Sequence, residues 1–102
     1  MCNGNSNRMP KIQLYECPNF QGRMIELTGP TPHLCKCGFH DRISSIRVIC
    51  GEWKLFEDCD FEGREFKVCE HGGPCCNGEY PCKREWCGMN NELASLYPVC
   101  RC

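Results

Sequence analysis

No apolar run in this chain approaches the ~20 residues that a membrane-spanning helix requires, and no segment holds a helical period for three turns. A surplus of positive charge is also missing. Twelve basic and thirteen acidic residues, mixed along the chain, leave a formal net charge of -1, which argues against a dedicated binder of nucleic acid or of an anionic membrane. There is no phosphate-binding glycine loop. None of the histidines has a Ser or Cys at the spacing of a nucleophile–base pair. The carboxylates Glu57, Asp58 and Asp60 read as solvated or metal-facing rather than as an acid–base pair. An enzyme is not expected. At 102 residues the chain has the size of one compact domain, since two separate cores would be hard to stabilise at this length.

What the chain does have is cysteine, thirteen in all. This density marks disulfide scaffolds from oxidising compartments. The opening residues Met1-Cys2-Asn3-Gly4-Asn5 lack the basic start and apolar run of a secretory leader. The two signals conflict, and the cysteine density carries more weight. A secreted protein whose leader has been removed is expected, with a cytoplasmic protein bearing reduced thiols as the alternative. The odd count leaves at least one thiol without a partner in the chain, and Cys2 and Cys102 are the candidates for an intermolecular bridge.

The chain also repeats itself. Ile12-Gln13-Leu14-Tyr15-Glu16 aligns with Trp53-Lys54-Leu55-Phe56-Glu57, and Asn19-Phe20-Gln21-Gly22-Arg23 with Asp60-Phe61-Glu62-Gly63-Arg64, both at an offset of 41. Downstream, Ile43-Ser44-Ser45-Ile46 matches Leu93-Ala94-Ser95-Leu96, and Cys50 matches Cys100, at an offset of 50. The second unit therefore carries nine extra residues, between Cys69 and Asn90. Each unit shows period-two alternation, as at Ile12 and Leu14, Ile25 and Leu27, Ile46 and Val48, Trp53 and Leu55, and Phe66 and Val68. Alternation over short runs separated by Gly and Pro predicts half-buried antiparallel strands, hence an all-β, two-sheet sandwich. A polar tail over 1–10 precedes one domain over 11–102. Its first motif covers 11–50 and its second 52–100, with a Cys-rich insertion at about 69–89. Gly22 and Gly63 interrupt strand-like stretches at equivalent places, where a positive φ or a close backbone approach is expected.

The pattern Tyr15, Phe20 and Gly22 with Ser45 downstream, repeated as Phe56, Phe61 and Gly63 with Ser95, resembles the signature of the βγ-crystallin Greek key. The stretches 51–58 and 91–97 resemble animal members in particular. This resemblance implies two homologous four-stranded motifs, two four-stranded sheets packed face to face, and a strand exchanged across a pseudo-two-fold axis. In each motif the aromatic, the glycine and the serine would build a folded hairpin. The implied core is Ile12, Leu14, Ile25, Leu27, Ile46 and Val48 against Trp53, Leu55, Phe66, Val68, Leu93 and Leu96.

Many members of that family bind two calcium ions, and the resemblance assigns candidate ligands. His40-Asp41-Arg42-Ile43-Ser44-Ser45 and Asn90-Asn91-Glu92-Leu93-Ala94-Ser95 each depart once from the family motif, at His40 and at Ala94. One site would use the Glu16 carbonyl, the Asp41 side chain and the Arg42 carbonyl, without the hydroxyl lost at Ala94. The other would use the Glu57 and Glu92 carbonyls, the Asn91 side chain and the Ser44 hydroxyl. Oxygen donors of this kind suit calcium, and the few formal charges imply modest affinity. Asx residues followed by Ser also cap turns without any ion.

Cys35, Cys37, Cys75, Cys76, Cys82 and Cys87 gather in the two connecting segments near His33, His40 and His71. Their spacings do not match paired zinc knuckles, so disulfides are expected rather than zinc. The leading functional reading is a structural, disulfide-stabilised βγ-crystallin domain that binds calcium. The alternative is a secreted defence, toxin-like or inhibitory protein. It would meet a protein partner through the Cys-rich loop, with Tyr80 and Trp86 as contact residues, although Trp86 could equally pack onto its own domain.

Overall fold

The computed structural model of the chain describes residues 9–38, 43–86 and 93–99. Among the described residues seven strands form, five of them where the alternation predicts them, and no α-helix occurs. The first motif contributes β1 (Lys11–Cys17), β2 (Gln21–Leu27) and β3 (Ser45–Cys50), and the second β4 (Glu52–Asp58), β5 (Glu62–Cys69), β6 (Glu79–Tyr80) and β7 (Ser95–Val99). Short 3₁₀ turns at Pro18–Phe20 and Cys59–Phe61 join β1 to β2 and β4 to β5. Two further turns, Leu34–Cys37 and Lys83–Trp86, lie in the long connections.

The strands assemble into two antiparallel sheets, one ordered β2-β1-β3-β6 and the other β5-β4-β7. Strand β6 belongs to the second motif but pairs with β3 of the first, through Ile46 with Tyr80 and Arg47 with Glu79. An Arg47–Glu79 ion pair at 3.3 Å accompanies this exchange. The reciprocal strand is not a full one. On the other sheet Thr31 alone bridges Leu96, with hydrogen bonds of 2.8 and 3.1 Å in the two directions. The expected fourth strand shrinks to one residue, in a segment where Pro30 and Pro32 flank Thr31 and, with φ fixed near about −65°, are poor residues for continuing a strand.

The core forms where the inward faces of the two sheets meet. Ten of the twelve predicted core residues are buried, whereas Ile25 and Leu27 of β2 are only partly buried. The reason is a local asymmetry. Trp86 closes the second connection and meets Phe66 edge-on at 5.9 Å. Its counterpart at the end of the first connection is Cys37, which is too small to cover Ile25, the counterpart of Phe66. Leu34, Ile43, Tyr80 and Trp86 complete the core and were not predicted as part of it.

Nearly all of the extra length in the second motif precedes β6, since Tyr80 and Thr31, which hold the reciprocal pairings, are already 49 positions apart. Tyr80 ties the start of this extra segment to the sheet, because its hydroxyl accepts a hydrogen bond from the Cys69 amide at 3.0 Å. Burial pushes the Tyr80 phenol above its ordinary value and Glu52 adds to the rise, while the Cys69 backbone contact opposes it. The folded state therefore prefers the neutral phenol. That preference stabilises the fold fully below the unfolded phenol value of ~10 and is lost as pH rises through the higher folded value. Tyr80→Phe should cost about 0.5–1.5 kcal/mol at neutral pH. It should also lose less stability than the parent between pH 10 and the alkaline end of a urea-unfolding series; equal alkaline losses would rule this linkage out.

Candidate functional site

The folded hairpins are the most specific geometry in the molecule. In the first, Asn19 and Phe20 both adopt left-handed φ values of 59° and 61°, and Asp60 and Phe61 repeat this at 60° and 62°. Asn and Asp tolerate this region because their short polar side chains bond locally, whereas a left-handed Phe costs roughly 1–2 kcal/mol. The serine offsets the strain. Ser45 Oγ accepts from the Phe20 amide at 2.9 Å and donates to the Cys17 carbonyl at 2.6 Å. Ser95 Oγ accepts from the Phe61 amide at 2.9 Å and donates to the Asp58 carbonyl. Both serines are fully buried. Each clasp is covered by an aromatic pair, Tyr15 on Phe20 at 5.6 Å and Phe56 on Phe61 at 5.9 Å, both edge-on.

Gly22 and Gly63 follow at φ of 80° and 83°. A Cβ at Gly22 would come within 2.9 Å of Cys17 Sγ, and one at Gly63 within 2.7 Å of Asp58 Oδ2. All eight predicted hairpin residues are thus brought together in two equivalent sets.

The hairpins dock against the opposite motif in a reciprocal manner. The Asn19 amide donates to the Pro81 carbonyl at 2.8 Å, and the Asp60 amide to the Pro32 carbonyl at 3.0 Å. The two connections reach across as well. The Leu34 amide donates to the Ala94 carbonyl at 2.8 Å, and Trp86 Nε1 to the Ser44 carbonyl at 3.3 Å.

Of the candidate calcium ligands, Asp41, Arg42, Asn91 and Glu92 lie outside the described residues, as does His40. Ser44 sits beside Glu16, because its amide donates to the Tyr15 carbonyl at 2.9 Å; Ala94 is held beside Glu57 in the same way by the Phe56 carbonyl at 2.9 Å. The Glu16 carboxylate is gripped by Arg23 at 2.9 and 2.7 Å. Arg23 holds its proton still more firmly as a result of this hydrogen bond and the attraction of the carboxylate.

The candidate contact residues fall elsewhere. Tyr80 is 5% exposed and Trp86 3%. Both rings are spent on the core, and only Arg84 and Glu85 of that turn face solvent. A contact surface anchored on Tyr80 and Trp86 is therefore not available in this fold; of the two roles open to Trp86, packing onto the domain is the one found.

The cysteines divide by position. Cys17, Cys35, Cys37, Cys50, Cys59, Cys75, Cys76 and Cys82 are free thiols, of which Cys50, Cys59 and Cys82 are partly buried and the others exposed. Of the cysteines and histidines of the connections, His40 and Cys87 lie outside the described residues; among the described residues the fold brings His33 and Cys35 together with Cys59, which was not among them. One potential ligand atom from each of His33, Cys35 and Cys59 lies within 4.8 Å of the others. His33 Nε2 stands 3.3 Å from Asp60 Oδ1. Partial burial raises the Cys59 thiol above its usual range, and Cys35, Asp60 and Asp58 raise it further. Cys59 was missed because it lies in the other motif, far along the chain from Cys35. The one clue in the sequence is that it stands where the repeat has Pro18.

The family model described as Beta/Gamma crystallin matches residues 11–99, the span from the first strand to the last. The chain belongs to the βγ-crystallin family. It is 38% identical over 94 residues to gamma-crystallin N of Rattus norvegicus, an alignment covering 92% of this chain and 48% of that protein. Among solved structures, a βγ-crystallin from Ciona intestinalis superposes with a TM-score of 0.76 at 35% identity, covering 87% of this chain and 99% of the other. An archaeal βγ-crystallin gives 0.73 at 25% identity, covering 90% and 100%. The chain thus spans about half the length of the curated relatives it matches and nearly the whole of these solved domains.

For a βγ-crystallin the hairpin clasp should dominate stability. Ser45→Ala and Ser95→Ala each leave a buried amide and carbonyl unpaired, so a loss of about 1–3 kcal/mol per substitution is expected. At about 4–8 °C of Tm per kcal/mol for a domain near this size, thermal unfolding resolves the effect readily. Gly63→Ala should be similarly costly, since φ and space both oppose a Cβ. Wild-type Tm in all three variants would refute this account.

Proposed function

We propose that this βγ-crystallin domain is a structural module that takes up calcium beside its hairpin loops and is stabilised further by disulfides in its long connection. The reading is carried by Ser44. Its amide anchors it to the Tyr15 carbonyl, yet among the described residues no hydrogen bond takes up its hydroxyl. That leaves an oriented oxygen of the kind calcium collects in sets of six to eight. The donors fit unequally at the two sites. By the family resemblance Ser44 would reach across to the site with Glu57, Asn91 and Glu92, in the motif whose hairpin carries the exposed carboxylates of Asp58 and Asp60, whose negative potential favours a cation. The site with Glu16, Asp41 and Arg42 meets Ala94 in place of a hydroxyl. The Glu57 site is accordingly the stronger one.

Calcium would bridge segments that are assembled only in the folded chain, so binding would stabilise by mass action, about 2.7 kcal/mol at a hundredfold excess over Kd. The cysteines of the 69–89 segment would act in the same direction. A bridge there reduces the freedom of a Gly- and Pro-rich loop in the unfolded chain, for about 2–4 kcal/mol. Both effects suit an extracellular protein. Among the described residues no helix is long and apolar enough to cross a membrane.

Calorimetric titration with calcium should give saturable binding, and the Tm in millimolar calcium should exceed that in chelator by several degrees. Ser44→Ala and Asn91→Ala should weaken binding, with Asp41→Ala doing less. An unchanged Tm across the calcium range would remove the function and leave the fold intact.

A further inference from the structure

We infer that His33, Cys35 and Cys59 form a zinc site across the seam between the two motifs, with Asp60 positioning the imidazole. The inference is independent of calcium binding and would survive its failure. The donor set is a pair of thiols and an imidazole, the combination that selects zinc over calcium or magnesium. Their potential ligand atoms already lie within 4.8 Å of one another, so a metal at ~2.0–2.3 Å from each donor requires side-chain adjustment rather than movement of the backbone.

The backbone on both sides is held. Leu34, between His33 and Cys35, is fully buried and bonded to the Ala94 carbonyl. Cys59 opens the strained hairpin turn that Ser95 clasps, and the Asp60 amide is bonded to the Pro32 carbonyl, next to His33. A carboxylate 3.3 Å from the ring nitrogen is the usual partner of a ligating histidine, fixing its tautomer and orientation. Each thiol would release its proton to solvent as its sulfur binds, and a water would take the fourth position.

The pseudo-dyad supplies an internal comparison. The other seam repeats the backbone contacts, through the Asn19 amide and the Pro81 carbonyl, but not the donors. There Pro18 stands for Cys59, Arg84 for Cys35 and Cys82 for His33. A proline and a guanidinium cannot ligate, so the duplicated architecture by itself does not require this cluster. A Cys35–Cys59 disulfide would use the two sulfurs alone and leave the His33–Asp60 pair without a role, which is why the metal is the better assignment.

The test uses the full chain, reduced and stripped of metal, titrated with Co²⁺ under inert gas and then with Zn²⁺ in competition. One tight equivalent is expected, with the intense visible bands of tetrahedral cobalt and a near-ultraviolet thiolate charge-transfer band, both abolished by zinc. His33→Ala and Cys59→Ser should each weaken binding by more than about tenfold, and Asp60→Asn by about tenfold. Cys82→Ser, in the metal-free seam, should leave the tight equivalent unchanged. If Cys59→Ser fails to fold, as judged by circular dichroism, Cys35→Ser at its exposed position takes its place. Tetrahedral bands that persist in His33→Ala and in the cysteine variants would place the metal elsewhere and overturn the assignment. So would a Cys35–Cys59 disulfide found by peptide mapping in protein that binds no cobalt after reduction.

Discussion

Two consecutive left-handed residues, one of them a phenylalanine, are an expensive way to turn a chain, and each motif does it once. The turn persists because one buried serine hydroxyl serves both broken ends of the hairpin, accepting from the Phe amide and donating to a carbonyl three residues before that Phe. The serine arrives from a strand far along the sequence, β3 or β7. The hairpin is therefore stable only when the motif is closed, and the closed motif presents a folded loop at its end. The register shifts in β1 and β4 just before each turn, and the reciprocal docking of Asn19 and Asp60 onto the opposite connection, follow from the same constraint.

The two motifs are equivalent in their hairpins and unequal in their connections. A short connection between prolines gives the first motif a one-residue bridge at Thr31. A longer one gives the second motif a true, if brief, strand at Glu79–Tyr80 and a tryptophan that closes the core over Phe66. Far from being a loose appendage, the Cys-rich insertion returns two aromatic rings to the interior. What it leaves outside is polar and thiol-bearing, including Arg84, Glu85, Cys75 and Cys76.

Chemistry gathers where the motifs meet. Loop ends from one half lie against connections from the other, so donors distant in sequence become neighbours on a backbone held by the clasps. Oxygen donors of the hairpin poles suit a hard cation. On one seam only, the imidazole and two thiols suit a soft one. On the two proposals made above, the same scaffold would offer two kinds of site without any change to its core.

The strand exchange was legible only through the family resemblance, whereas the duplicated aromatic, glycine and serine pattern, with the alternation around it, already contained the hairpins, five of the strands and most of the core. Those features depend on local alternation and on residue types with few conformational options, both of which are written in a linear string. The fate of Tyr80 and Trp86 was not contained there, because an aromatic in a polar loop reads alike whether it turns outward or folds back. Nor was the partnership of Cys59 with His33 and Cys35. Side chains from separate motifs share no spacing rule, and only the docking of one hairpin onto the other connection brings them within reach of a single ion.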